Sequence, residues 1–442
     1  MAAVDSRAFL VTHRGVLAIA VPMTIAYLTT PLVGVVGLGV VGQLGDPALV
    51  GGVSIGALIF DIAFATFNFL RSGTTGLAAQ AFGAGDREEI GAIFWRALLL
   101  ALAIGLTVLV LEGPILAIAL DLIGGSAAVQ AATRDYWHIR VLAAPLALAN
   151  YAILGWLIGL GRAGYGLALQ LVLNGLNIVT SVVLVELLHF GVAGVGWASV
   201  TAESVAALVG LGVVIRLNRE GPRPSIARIV DGHAFRRMIA VNRDIMIRSF
   251  ALLFAFAFFT ARSADAGDVV LAANEILMNL TILAAYFLDG LAAAAEQFAG
   301  RAIGARQRAA FDRAMRLTIV WGYGVAAAAS LFLWLAGPII IDLMTTSADV
   351  RATARDFLPL AALVPLVGTL AYQMDGIFIG ATWSTDMRNM MLLSVAAYLA
   401  VWWALSGPLG VTGLWLALLT FLGLRGLTLL WRSRARVELA FP

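Results

Sequence analysis

Several ionisable and amide side chains stand in stretches otherwise too apolar for a solvated surface. They are Asp61, Asn68 and Arg71, then Asn174, Asn177 and Glu203, and later Arg248, Glu275, Asp289, Glu296 and Asp375. Charged groups at membrane depth are costly and face a cavity or a partner. A carboxylate in a dry site can carry a proton near neutral pH. Asp289 and Asp375 are therefore the leading candidates for binding a coupling ion, followed by Glu275, Asp61, Glu296 and Glu203. The plainer alternative for each is that it accepts hydrogen bonds or pairs with an arginine and only fixes helix packing. Arg71 reads as a partner for a carboxylate. Asp61 and Asn68 are seven positions apart, as are Asp289 and Glu296, so each pair is expected to share one helix face.

No enzyme signature accompanies these groups. Gly83-Ala84-Gly85 does not follow a strand, and Ser72-Gly73-Thr74-Thr75-Gly76 has no lysine after it, so neither is a nucleotide-binding loop. His13, His138, His189 and His233 are scattered and make no metal-ligand spacing, there is no cysteine, and the metal ligands, if any, stay unassigned. No cofactor is expected. Without an ATP-binding segment, any uphill movement must draw on an ion gradient.

The elements that position these groups follow from composition. Hydrophobic residues make up 61% and charged residues 12%, against about 25% charged in a soluble domain, so the solvent is a bilayer. A span needs roughly 20 mostly apolar residues. That rule places helices at 14–43, 48–80, 91–120, 133–160, 163–188 and 192–217, then at 240–263, 269–303, 312–342, 352–381, 385–406 and 409–432. Pro22, Pro145 and Pro365 lie inside helices and would kink them. All the basic residues are arginine; they raise the isoelectric point without making a nucleic-acid-binding chain. With the N-terminal segment read as a cytoplasmic tail, the inner loops and helix ends collect most arginines. The outer loops keep Arg134, Arg140, Arg262, Arg351 and Arg355, a positive-inside bias with both termini inside.

The chain also repeats itself. Ala81-Phe82-Gly83-Ala84-Gly85 lies 221 positions before Ala302-Ile303-Gly304-Ala305-Arg306, and the same offset sets Gly155-Trp156-Leu157-Ile158-Gly159 over Gly376-Ile377-Phe378-Ile379-Gly380. A tandem duplication follows. The expected fold is an all-α membrane protein of twelve transmembrane helices in two pseudo-symmetric six-helix lobes. The lobes are 14–217 and 240–432, related by an axis along the membrane normal, with a cytoplasmic linker 218–239. That linker is read as lying on the inner membrane face, with anionic lipid or a regulatory partner as the minority reading.

With Phe69-Leu70-Arg71-Ser72-Gly73-Thr74-Thr75-Gly76, Asn242-Arg243-Asp244-Ile245, Leu288-Asp289-Gly290 and Asp375-Gly376-Ile377-Phe378-Ile379-Gly380 in place, the chain resembles the multidrug and toxic compound extrusion (MATE) transporters, more narrowly their DinF-like branch. The resemblance implies alternating access, with export of small amphipathic, often cationic organic compounds against inward protons or sodium. It also implies a bacterial inner-membrane location; a monomer with a small-molecule substrate and the lipid bilayer as partners is expected. A lipid-linked precursor flippase shares the architecture and is the alternative; it would need a basic interior, and the helix interiors read as weighted to acids, most heavily in the second half. One departure stands out. Where the branch carries Gly-Leu-Val-Asp-Thr in helix 1, this chain has Gly34-Val35-Val36-Gly37-Leu38, and the helix 5 aspartate is replaced by Ser181. Asn174 and Asn177 remain and could order water. Asp61 is expected to stand in for the missing carboxylates, so that Asp61→Asn impairs coupling more than Glu203→Gln; failing that, coupling moves to the second half.

Overall fold

A computed structural model describes residues 9–219 and 221–441. The tail through Ala8, including Arg7, lies outside the described residues, as does Pro442. Among the described residues all regular structure is helical. The order is α1 (His13–Gly42), α2 (Pro47–Thr66), α3 (Phe69–Ala84), α4 (Arg87–Val110), α5 (Glu112–Ile123), α6 (Ala127–Arg140), α7 (Ala144–Gly159), α8 (Ala163–Val182), α9 (Gly191–Asn218), α10 (Ile226–Ile229), α11 (Gly232–Asp265), α12 (Asp268–Gly304), α13 (Arg308–Met344), α14 (Ala348–Gly380) and α15 (Ser384–Ala440). A 3-10 turn, Val141–Ala143, joins α6 to α7, and a π turn, Val183–Leu187, closes α8.

By length and composition 11 helical segments among the described residues can cross a membrane, one fewer than the expected twelve. The difference lies in α15. Its 57 residues would extend about 85 Å if straight, against a hydrocarbon core of about 30 Å. Gly410 breaks it with φ 51° and ψ −126°. The rings of Tyr398 and Phe421 stand 5.7 Å apart, where an unbroken helix would separate these residues by about 35 Å. A Cβ on Gly413 would sit 2.6 Å from the carbonyl oxygen of Leu405. The chain runs out along 384–409 and doubles back along 411–440.

Besides 133–160, interrupted by the 3-10 turn, two expected helices are broken. The span Pro47–Ala84 breaks at Phe67 and Asn68, whose N–H groups donate to Phe64 (3.0 Å) and Ala65 (3.3 Å) rather than four residues back. This tightening shifts the helical register, so Asp61 and Asn68 do not share a continuous face as expected. Asp289 and Glu296 do lie on one unbroken helix, α12. The expected helix 91–120 likewise divides at Leu111 into α4 and α5.

The duplication is written in the backbone. Positive φ falls at Gly85 and Arg306, at Gly161 and Thr382, and at His189 and Gly410, each pair 221 residues apart. The helix-ending hydrogen bonds match as well: Asp86 N–H to Ala81 O at 3.1 Å and Gln307 N–H to Ala302 O at 3.0 Å; Arg162 N–H to Leu157 O at 2.8 Å and Trp383 N–H to Phe378 O at 2.9 Å. Gly155 and Gly159 let α7 press on the backbone of α3 at Arg71 and Thr75. Gly376 and Gly380 let α14 press on α12 at Ala292 and Glu296, the same positions one repeat on. Small residues that admit close backbone approach are the usual means of packing helices in lipid.

The chain divides into two compact units. The first comprises the described residues up to Thr24, Gly83–Gly85 and the chain from Ile239; the second comprises Ile25–Phe82 and Asp86–Met238. In the first unit the start of the chain is held by α12 and α13. Arg313 Nε donates to Val11 O at 2.6 Å, Trp321 Nε1 donates to His13 Nδ1 at 3.1 Å, and the Arg301 guanidinium lies 4.1 Å from the Phe9 ring centre. In the second unit the short helix α10 is tied to α4. Arg228 reaches Asp86 (2.7 Å) and Glu89 (2.8 Å), while buried Arg96 donates to the carbonyls of Arg228 (2.7 Å) and Ile229 (3.1 Å) and pairs with Glu89 at 2.7 Å.

Candidate functional site

The ionisable groups collect into two clusters, one in each unit, each arranged around a tyrosine. In the second unit α6 ends at Arg140, because the next residues tighten into a 3-10 turn and Pro145 enters α7 without an N–H to continue the ladder. Arg140 is not the outer-loop residue expected; it lies within the continuous apolar span Ala127–Gly159. Its guanidinium sits 3.7 Å from the Phe60 ring centre, lies within electrostatic reach of Tyr136, and approaches Glu203 Oε1 at 3.9 Å. Its Nη1 is buried without a hydrogen-bond partner. Glu203, on α9, is 9% exposed. Asn150 donates to Glu203 Oε2 at 2.7 Å and to its backbone oxygen at 3.1 Å. Asp61 is exposed and feels the charge of Arg140. Tyr151, on α7, lies within electrostatic reach of Glu203, Asp61, Arg140 and Arg71. Arg71 in turn donates to Asn68 Oδ1 and Ser72 Oγ, both at 3.0 Å.

In the first unit the hub is Tyr372, which is Tyr151 moved one repeat of 221 residues along the chain. It lies within electrostatic reach of Asp289, Arg425, Arg248 and Asp375. Asp375 Oδ2 accepts hydrogen bonds from both Arg248 on α11 and Arg425 on the returning arm of α15. Asp375 Oδ1 is buried without a partner. The Arg425 side chain is 2% exposed and its guanidinium stands 5.7 Å from the Tyr372 ring centre. Of the two readings open for Asp375, pairing with arginine is what the geometry displays. Each cluster thus holds two carboxylates and two guanidinium groups. The expected weighting of the helix interiors to acids is not seen in these two clusters, because Arg140, expected in an outer loop, and Arg425 bring guanidinium groups into them.

The remaining sequence candidates lie apart from these clusters. Glu275 is exposed and accepts from Thr260 at 3.1 Å. Glu296 is buried where Gly380 packs on its backbone. Asn174 donates to Thr29 at 2.8 Å and Asn177 to Ser199 at 3.0 Å, while Ser181, at the missing aspartate, donates to Asn177 at 3.3 Å. These amides are engaged by protein hydroxyls. Among the described residues no group of three His, Asp or Glu side chains gathers to hold a metal ion. Sequence reasoning missed Arg140, Asn150, Tyr136, Tyr151 and Tyr372. The two hub tyrosines were findable, since both obey the repeat offset.

A family model described as MatE matches residues 22–183 and again 245–403, once in each half. The chain is 40% identical over 421 residues to the DNA damage-inducible protein F of Escherichia coli, covering 95% of this chain and 92% of that protein. It is 27% identical to the probable multidrug resistance protein NorM of Rhizobium meliloti, covering 95% and 93%. Among solved structures, a MOP superfamily transporter from Pyrococcus furiosus, described for the reverse polarity of its binding pocket, superposes with a TM-score of 0.88 at 17% identity, covering 97% of both chains. An outward-facing multidrug resistance MATE family transporter gives 0.87 at 19% identity, covering 97% and 96%. At these identities the two structures speak to the fold.

Proposed function

The chain belongs to the MatE family of multidrug and toxic compound efflux transporters, and from that premise we propose that it exports small amphipathic, cationic organic compounds by alternating access, driven by inward protons or sodium ions. The observation that carries this reading is the pair of tyrosine-centred charge clusters at membrane depth, one in each half. Carboxylates there can exchange an arginine for a proton or a cation, and a change of partner moves helices. Asp375 and Asp289 are the coupling groups of one cluster; Glu203 and Asp61 are those of the other.

Twelve crossings in two six-helix lobes, 14–217 and 240–432 joined by a cytoplasmic linker 218–239, are part of the same proposal. The doubling back of α15 at Gly410 supports the count, and so does the positive φ that His189 and Gly410 share one repeat apart. The arginine asymmetry favours both termini in the cytoplasm and a place in the bacterial inner membrane. The protein works as a monomer without a cofactor.

The experiment is purified protein in liposomes, with pH and sodium gradients imposed separately and efflux of a cationic dye followed. Efflux that depends on one gradient is expected, and it should fall in Asp289→Asn and Asp375→Asn vesicles carrying equal amounts of inserted protein. Dye movement indifferent to both gradients would defeat the reading. A second reading, a flippase for lipid-linked precursors, is favoured by one observation: at Asp375 two arginines face one carboxylate. Movement of an anionic lipid-linked substrate without movement of the dye would select it.

A further inference from the structure

The Arg140–Glu203 pair differs from the other ion pairs of its unit. Arg96–Glu89 and Arg228–Asp86 close to 2.7 Å, the distance of a charge-assisted hydrogen bond. Arg140 and Glu203 stand 3.9 Å apart although their side chains are only 13% and 12% exposed. Arg140 Nη1 is left without a partner, and the close contact to Glu203 comes instead from the neutral amide of Asn150 at 2.7 Å. An amide N–H can donate to a carboxylate and, more weakly, to the carbonyl oxygen of a carboxylic acid. Asn150 therefore holds Glu203 in either charge state, while Arg140 is attracted to only one of them. Arg140 is also the last residue of α6, immediately before the 3-10 turn Val141–Ala143 and Pro145. A 3-10 interruption inside a longer helix often marks a hinge.

We infer that Glu203 and Arg140 form a protonation-controlled latch on the hinge at Val141–Ala143. With Glu203 ionised, Arg140 is drawn to it and α6 is fixed to α9. When Glu203 takes a proton from a hydronium ion and leaves water, its oxygen–hydrogen bond forms, the attraction to Arg140 ends, and Arg140 turns to Asp61, the other carboxylate that feels its charge. The groups facing this site are Arg140 and Tyr136 from α6, Asn150 and Tyr151 from α7, Asp61 from α2 and Arg71 from α3. In this arrangement Glu203 is the proton carrier of its half and Asp61 the resting place of the released arginine, the reverse of the order expected from sequence. The latch rests on the proposed ion-coupled transport for its purpose, and its test does not.

The test uses the full chain, which has no native cysteine to remove. Spin labels at Ala128→Cys and Gly164→Cys, exposed positions on either side of the hinge, report the distance distribution between about pH 5 and about pH 9, the range in which buried carboxylates titrate. The distribution is expected to shift with pH in the labelled parent. It should stay in its low-pH form at every pH in Glu203→Gln, lose its pH response in Arg140→Gln, and shift again with a displaced midpoint in Glu203→Asp. A parent that does not respond to pH, or a Glu203→Gln protein that responds like the parent, overturns the latch. Dye efflux from liposomes is read in parallel. A hinge that titrates in protein showing no gradient-driven efflux keeps the latch and defeats the transport reading; gradient-driven efflux with an unresponsive hinge does the opposite.

Discussion

Tyr151 and Tyr372 are the same residue of one repeat, held by the same glycine-to-backbone contacts, and yet their surroundings have opposite tension. Around Tyr372 two arginines close on a single oxygen of Asp375. Around Tyr151 one arginine stands back from Glu203 and keeps a nitrogen unused. The divergence can be followed to one helix: Glu203 on α9 and Arg425 on the returning arm of α15 fall within one position of the repeat offset, with the sign of charge reversed. Duplication has kept the places where backbones touch and let the charges between them drift. A carboxylate clamped by two cations is costly to disturb, whereas one held mainly by an amide can change its charge with little rearrangement.

The largest effect that tests this contrast is on stability. Asp375→Asn removes the negative charge and leaves two buried guanidinium groups facing each other, a loss of about 3–5 kcal/mol for breaking a buried pair. Heat-induced loss of monodisperse protein in detergent should begin well below the parent's midpoint, and an unchanged midpoint would show that the two clusters are equally loose. Gly155→Val and Gly376→Val come next. Each places a side chain against a carbonyl of the neighbouring helix, at Arg71 and at Ala292, and overpacking costs about 1–3 kcal/mol. The two variants should lose similar stability in the same assay; a loss in only one would mean that the repeat keeps sequence but not packing. Glu203→Gln should cost less than Asp375→Asn, since Asn150 still has an acceptor and Arg140 gives up only a contact at 3.9 Å while Asp61 stays within reach of its charge. The smallest effect has the opposite sign. Arg306 occupies the left-handed conformation that Gly85 takes in the other repeat, at a cost of roughly 1–2 kcal/mol for a residue with a Cβ, most of which glycine's greater loss of chain freedom on folding offsets. Arg306→Gly should raise the midpoint slightly, with transport unchanged.

The repeat offset was legible because helix-ending turns demand particular backbone shapes, and Gly83-Ala84-Gly85 and Gly155 to Gly159 carried that demand visibly. The apolar spans were legible for the same kind of reason, a bilayer that tolerates little else. The break at Phe67–Asn68 was not, since Phe64-Ala65-Thr66-Phe67-Asn68-Phe69 contains neither proline nor glycine and nothing local announces it. The break at Gly410 falls beside the boundary expected between 385–406 and 409–432, where Gly407-Pro408 interrupts the apolar run, although the fold keeps helical character nearly to the bend. The clusters were the hardest part. Arg248 and Arg425 lie 127 and 50 residues from Asp375, and no periodicity along one helix says which partner another helix will present. Arg140 looked like a loop residue because a polar stretch, Thr133-Arg134-Asp135, precedes it, and only the packing of α6 against α2 and α9 draws it inward.

The way the start of the chain is held has a consequence for biosynthesis. The carbonyl of Val11 waits for Arg313, 302 residues later. At about 5–20 residues per second the ribosome needs roughly 15 to 60 seconds to supply that partner. The second unit, by contrast, closes on itself once Arg228 reaches Asp86 and Glu89, while the helices from α11 onward are still to be made. Val11 and His13 are thus among the last of the described residues to find their partners, and during that interval the face of α1 that will meet α12 and α13 must be sheltered by lipid or by the insertion machinery.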